Sequence, residues 1–89
     1  MKDFKPSFCA LTSAQIRAAR ALIRWSAEDL ARAASLGVTT IRRAELTEAQ
    51  TSMTVANDMA VRRALEAAGV EFIDANGGGE GVRLKKPSG

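Results

Sequence analysis

From Ser13 onward the apolar residues fall at helical spacing: Ile16, Ala19 and Ile23 share one stripe with Arg20, at the i, i+3, i+4, i+7 positions of a single helix face. Thr12 or Ser13 can cap this segment, and the pattern ends near Arg24. Ser26 opens a second, short helix, with Asp29 three residues on as a weaker form of the capping box and Leu30, Ala31 and Ala34 on one face. Gly37 and the Thr39–Thr40 pair mark a tight connection into a third helix, whose inward positions are Ile41, Ala44 and Glu45. Residues 47–53 are polar and irregular. Thr54 caps a fourth helix through Ala68 that carries Asp58, Val61, Leu65 and Ala68 on one face, with Met59 beside it, and Gly69 ends it. The period then shortens to two. Val70 and Phe72 alternate with Glu71, a glycine-rich turn runs from Asp74 to Gly81, and Val82 and Leu84 alternate with Arg83 and Lys85, which predicts a β-hairpin.

The expected architecture is mainly α: a bundle of about four short helices with a helix-turn-helix, plus a C-terminal β-hairpin. Residues 1–11 read as a flexible N-terminal arm, 12–69 as the helical domain and 70–86 as the hairpin. The arm holds Pro6, mixed charge and no periodicity; its Phe4 and Phe8 are candidates for folding back on the domain.

Eighty-nine residues allow one small domain, and seventeen of the hydrophobic residues are alanine. A chain this short buries only about 60% of its unfolded surface, so a second copy is the expected source of added stability. There is no histidine and a single cysteine, Cys9, which excludes a histidine-based triad, the usual zinc sites and an intrachain disulfide. The carboxylates and lysines form no paired constellation, so no enzyme activity, metal or small-molecule cofactor is expected. No apolar run approaches the ~20 residues of a membrane span and the start lacks a signal peptide's apolar stretch, so a cytoplasmic protein is expected. The formal charge of +3 is modest, and its meaning depends on where the arginines stand.

Two helices joined by a tight turn need a small residue where their backbones approach and an apolar set where both meet the core. Ala31 is that small residue, and Leu30, Ala34, Leu36, Ile41 and Ala44 are the set. An ordinary helical hairpin satisfies part of the same pattern. With Ile41, Ala44 and Glu45 inward, the opposite side of the third helix presents Thr39, Arg42, Arg43 and Leu46, with Val38 and Thr40 near its start. Arginine can grip guanine O6 and N7 with two parallel bonds, and threonine or valine can touch a thymine methyl or a phosphate. An arginine pair taken alone more often marks a solvated face; its place after the tight turn reverses that preference in favour of the duplex. Arg20 and Glu45 stand on the core-facing stripes of their helices, where a charge is tolerated only if paired, so they are expected to meet as a structural ion pair. Trp25 is expected to pack at the corner between the first two helices, Arg62 and Arg63 to face solvent or phosphate, and Cys9 to be an inert side chain of the arm.

The stretch IRAARALIRWSAEDLARAASLGVTTIRRAE, Ile16 to Glu45, resembles the Cro and lambda-repressor-like (Xre-type) helix-turn-helix family, and ALEAAGVEFIDANGGGEGVRL, Ala64 to Leu84, resembles the tail of a subgroup of small bacterial regulators. The paired inward Arg and Glu of that family match Arg20 and Glu45. The resemblance implies a third helix that enters the major groove, with base reading at Val38, Thr39 and Arg43, Arg42 beside them, and phosphate contact at the start of the second helix. This chain departs from the pattern at three places. Ala27 replaces a common Gln, leaving Ser26 and backbone N–H groups for the phosphate; Ser35 stands where the turn usually has Gly, which disfavours a left-handed backbone there; Gly37 stands where a capping Ser or Thr is common.

One helix-turn-helix unit covers few base pairs, so the expected function is a homodimeric transcriptional regulator, such as a repressor, on an inverted-repeat operator in double-stranded DNA. Val70, Phe72, Val82 and Leu84 are the candidate dimerisation residues, since pairing with a second hairpin would extend the sheet and bury them; a flap over the chain's own core is the other arrangement of the same pattern. The alternative function is a protein-interaction module, an antiactivator or antitoxin, that uses the same helices to cover a partner protein.

Overall fold

A computed structural model describes residues 11–74 and 77–85. Thr12 caps α1 (Ser13–Ile23) through a reciprocal box: its hydroxyl accepts from the Gln15 N–H, and the Gln15 side-chain oxygen accepts from the Thr12 N–H, both at 3.1 Å. Ser26 and Asp29 make the same box at the start of α2 (Ala27–Ala34), and the Thr54 hydroxyl accepts from the Asn57 N–H to cap α4 (Val55–Ala67). Between them α3 (Val38–Ala44) starts at Gly37 with no side-chain cap. The two strands, β1 (Val70–Ile73) and β2 (Gly81–Leu84), pair antiparallel with Val70 opposite Leu84 and Phe72 opposite Val82. Among the described residues, four helices followed by a two-stranded hairpin make the expected fold class.

Both helix–helix corners close in the same way. At the end of α1 the Trp25 N–H donates to Arg20 and the Arg24 N–H to Ala21; at the end of α2 the Leu36 N–H donates to Ala31 and the Ser35 N–H to Arg32. This paired closure needs a left-handed residue, normally glycine, and here Arg24 (φ 61°) and Ser35 (φ 60°) supply it. Ser35 is therefore left-handed although its side chain disfavours that conformation. The reason is tertiary: Leu36 and Trp25, the residues just past each corner, pack against the core, and both carbonyls at each helix end are satisfied. At the other reversal, from α4 into β1, Gly69 has φ +105°, which only glycine adopts without strain.

The core holds Ile16, Ala19, Leu30, Ala31, Ile41, Val61, Leu65 and Val70, contributed by every helix and by β1. Leu11 also belongs to it, at 1% exposure, so the last residue of the segment assigned to the arm packs into the core. The remainder of the arm, with Phe4, Phe8 and Cys9, lies outside the described residues. Residues 47–53 are irregular as expected but stitched down: the Ser13 hydroxyl donates to Thr47 O (2.6 Å), the Ser13 N–H to Ala49 O, and the Thr51 N–H to Leu11 O. Val70 and Phe72 are buried within the chain itself and Val82 is half-buried, while Leu84 is 51% exposed. The hairpin thus lies over its own core as a flap. Arg62 lies 5.1 Å over the Phe72 ring and donates to Glu66, which engages it with the flap; Arg63 is exposed.

Gln15 ties the flap to α1, because its buried Nε2 donates to Gly81 O at 3.1 Å while its oxygen completes the Thr12 box. Gln15→Ala should lower the unfolding free energy by about 1 to 2 kcal/mol in urea titration, with faster amide exchange concentrated in the hairpin. Equal exchange in the hairpins of both proteins would show that the tether does not hold the flap.

Candidate nucleic-acid interface

The geometry of α3 is set from beneath. Ile41 and Ala44 are fully buried, and Glu45 accepts two hydrogen bonds from Arg20 of α1, Nε at 2.7 Å and a terminal nitrogen at 2.8 Å, a two-pronged pair that fixes α3 against α1. Arg20 also donates to Trp25 O at 2.9 Å. The side chains keep 22% and 10% exposure, so the pair sits at the edge of the core, and the Glu45 hydrogen bond holds the Arg20 guanidinium above its ordinary pKa against the opposing effect of burial. The sequence-predicted ion pair is thus present, and Trp25 packs at the corner between α1 and α2 as expected.

With that face buried, α3 leaves Thr39, Arg42 and Arg43 exposed and Thr40 half-buried. Val38 packs partly against the core, which leaves less of it to meet a ligand. The two arginines differ in their surroundings. Arg42 donates to the Glu28 carboxylate at the start of α2, whereas Arg43 has no ion-pair partner among the described residues. Leu46, one turn beyond, is 82% exposed.

Arg43 also borders a cleft of about 460 Å³ between the end of α3 and the start of α4. Thr40, Ser52, Thr54 and Asn57 contribute hydroxyls and an amide to its lining, while the Thr47 hydroxyl there donates to Ala44 O. Ser52, left-handed at φ 66°, lies two residues before the Thr54 cap. A guanidinium beside several neutral donors is chemistry suited to a phosphodiester oxygen. Sequence reasoning gave residues 47–53 no role; the available signal was the density of Ser and Thr between the end of one helix and the cap of the next.

The start of α2 is less receptive than expected. Ser26 is exposed, but its N–H donates to Asp29 Oδ2 and its hydroxyl accepts from the Asp29 N–H, each at 3.0 Å. The Ser26 backbone hydrogen bond is the main reason that the Asp29 carboxyl lies below the usual range, with smaller contributions from the Ser26 hydroxyl and Arg32. Glu28 and Asp29 therefore place two carboxylates at the helix end where a phosphate would otherwise be welcome.

No family model and no curated protein matches this chain. Among the described residues no helix is long and apolar enough to cross a membrane.

Proposed function

We propose that this chain is a sequence-specific DNA-binding transcriptional regulator resembling the Xre type, acting as a homodimer on an inverted repeat. The observation that carries the reading is the exposed face of α3: Arg43, without an ion-pair partner among the described residues, stands beside Thr39 and a cleft rich in hydroxyl groups, on a helix whose other face is locked into the core. In this reading Arg43 and Thr39 meet base edges in the major groove, and Ser52 and Asn57 meet the flanking backbone. The acidic start of α2 leaves the backbone contact to the other end of α3. For the dimer, the support is Leu84 and the two-stranded sheet, each of whose strands has one hydrogen-bonded neighbour among the described residues. Val70 and Phe72 serve the chain's own core and are not available to a partner without opening the flap.

Selection of duplexes from a random pool, followed by gel-shift titration, tests this directly. Arg43→Ala should weaken binding by about 2 kcal/mol and lose discrimination at one base position per half-site. Equal binding of wild type and variant to every duplex would remove Arg43 from the interface, and a mass measurement giving one chain per site would remove the dimer.

The exposure of Leu46, together with Val55 at 63%, supports a second reading, an antiactivator or antitoxin that buries these residues against another protein. Salt separates the two. Phosphate contacts release counterions, so duplex affinity falls steeply with salt, whereas an interface built on Leu46 and Val55 does not respond in this way.

A further inference from the structure

The cleft between α3 and α4 is larger than a backbone contact requires. A phosphodiester group meets a few donors at a surface, whereas about 460 Å³ lies in the range of sites that hold small molecules. The floor of this cleft is apolar, formed by Ala44 at 1% exposure and by Met53, which packs partly against the core. Such a floor offers nothing to a phosphate. The polar groups of the lining come from three sides: Thr40 from α3, Ser52 from the connecting segment and Asn57 from α4. The Thr47 hydroxyl is taken by Ala44 O, and the Thr54 hydroxyl caps α4. The hydroxyls of Thr40 and Ser52 and the side-chain amide of Asn57, by contrast, have no hydrogen-bond partner among the described residues. Arg43 is the one charged side chain among the described lining residues, and it has no carboxylate partner there. An apolar floor with a few polar groups and a single cation above it is the composition of a small-molecule site.

We infer that the cleft is an effector site for a small organic anion, a carboxylate or phosphate head on a short apolar body, and that its occupation excludes the duplex from Arg43. The exclusion rests on the duplex reading of α3; the site itself does not. An anion entering the cleft has one guanidinium to meet, which can grip two of its oxygens, while the body covers Met53 and Ala44 and the neutral donors orient the head. A guanidinium engaged in this way cannot also present its parallel donors to guanine O6 and N7. The head's negative charge would in addition lie beside the duplex backbone and repel it. The ligand therefore lowers duplex affinity, and by linkage the duplex lowers affinity for the ligand by the same factor. Release from DNA then requires no conformational change, because two ligands compete for one side chain.

The probes are benzoate and phenyl phosphate, with acetate and inorganic phosphate as heads without a body and benzyl alcohol as a body without charge. Each is titrated into the full chain and followed by backbone amide chemical shifts. Benzoate or phenyl phosphate should move the amides of Thr40, Ser52 and Asn57 saturably, with a dissociation constant on the order of 1 mM, about tenfold tighter than acetate, inorganic phosphate or benzyl alcohol. Which of the two saturates first distinguishes a carboxylate head from a phosphate. Arg43→Gln should abolish the shifts. Met53→Ala removes part of the floor and no group assigned to the duplex, so it should weaken the aromatic probes by about fivefold and change duplex affinity by less than about twofold, while Met53→Leu retains both. Circular dichroism of each variant establishes that the fold is retained. In fluorescence anisotropy on a selected duplex, the tighter probe at ten times its dissociation constant should lower affinity by about tenfold relative to acetate at the same ionic strength. Saturation by acetate and inorganic phosphate as readily as by the aromatic probes would reduce the cleft to one exposed arginine meeting any anion and overturn the inference. So would shifts that survive Arg43→Gln, or no shift with any probe; each of these results leaves the duplex reading intact. A probe that binds through Arg43 without moving duplex affinity overturns the exclusion and takes Arg43 out of the duplex interface. If the wild type binds no duplex, the exclusion falls with the reading, and the shifts still decide the site.

Discussion

Arg20→Ala should lower the unfolding free energy by about 3 kcal/mol, measured by urea titration followed at 222 nm. The variant strands three acceptors: both oxygens of Glu45, on a side chain only 10% exposed, and the Trp25 carbonyl. Removing one partner of a buried pair commonly costs about 3 to 5 kcal/mol, and the lower end applies because Arg20 retains contact with water. A domain of this length has on the order of 5 to 10 kcal/mol in all, so the loss is a large share of its stability. Glu45→Ala should cost less, since the stranded guanidinium keeps Trp25 O and is the more exposed partner. The decisive variant is the double substitution Arg20→Met with Glu45→Leu. If the pair serves only to satisfy itself, two apolar side chains of similar length should recover most of the loss. Duplex binding by that double variant then reports whether the pair is needed to hold α3 at its angle: recovered stability with lost binding assigns the ion pair to positioning, and recovery of both assigns it to stability alone.

This pair was legible in the sequence because both members sit on stripes that periodicity identifies as inward, and an inward charge demands a partner. The hydroxyl caps were legible for a related reason, Ser26 and Thr54 outright and Thr12 as one of two candidates with Ser13. Each closes a hydrogen bond to a backbone N–H three residues away, so Thr12, Ser26 and Thr54 carry the whole signal locally. Alternation likewise marked Val70, Phe72, Val82 and Leu84 as one face of a hairpin. It could not say what covers that face, because period two distinguishes the two sides of a strand and carries nothing about whether the apolar side meets its own helices or a second copy. The chain buries Val70 and Phe72 itself and leaves Leu84 out.

What stayed hidden depends on contacts between residues with no periodic relation. Glu28 and Arg42 are fourteen residues apart and both lie on solvent faces, where side chains are ordinarily free, so neither announces a partner. Ser35 is left-handed because Leu36 is drawn into the core, a tertiary demand that overrides the preference of the residue itself. Leu11 reads as part of an aperiodic arm, yet it is fixed by Thr51, forty residues on, whose N–H donates to its carbonyl. In each case the local rule was sound and a longer-range closure decided the outcome.

Asp58→Ala should cost about 3 kcal/mol, and the loss should depend on pH. Asp58 lies on the inward stripe of α4 at 3% exposure, where it accepts from the Thr51 hydroxyl at 2.7 Å and from the backbone N–H of Leu11. One carboxylate thereby joins α4, the irregular 47–53 segment and the core residue Leu11, and its removal leaves a hydroxyl and an N–H buried without acceptors. Burial pushes the Asp58 carboxyl above the usual aspartate value, against the opposing pull of those two hydrogen bonds. A folded-state pKa above the unfolded one, about 3.9, means that the folded chain holds this proton more tightly. Its contribution is therefore fully present below the unfolded value and declines as pH rises through the folded one. Wild type should lose stability relative to Asp58→Ala as pH rises above about 4, so the gap between the two proteins narrows. Asp29 and Glu71, whose carboxyls are lowered by their hydrogen-bond partners, act in the opposite sense but are present in both proteins and cancel in the difference. Urea titrations of both proteins at several pH values measure that gap; one that widened towards neutral pH would mean that the hydrogen bonds from Thr51 and Leu11 outweigh burial. Because Thr51 also lines the cleft beside Arg43, the same substitution should loosen that end of the α3 surface, and duplex affinity measured at pH 7 should fall with it.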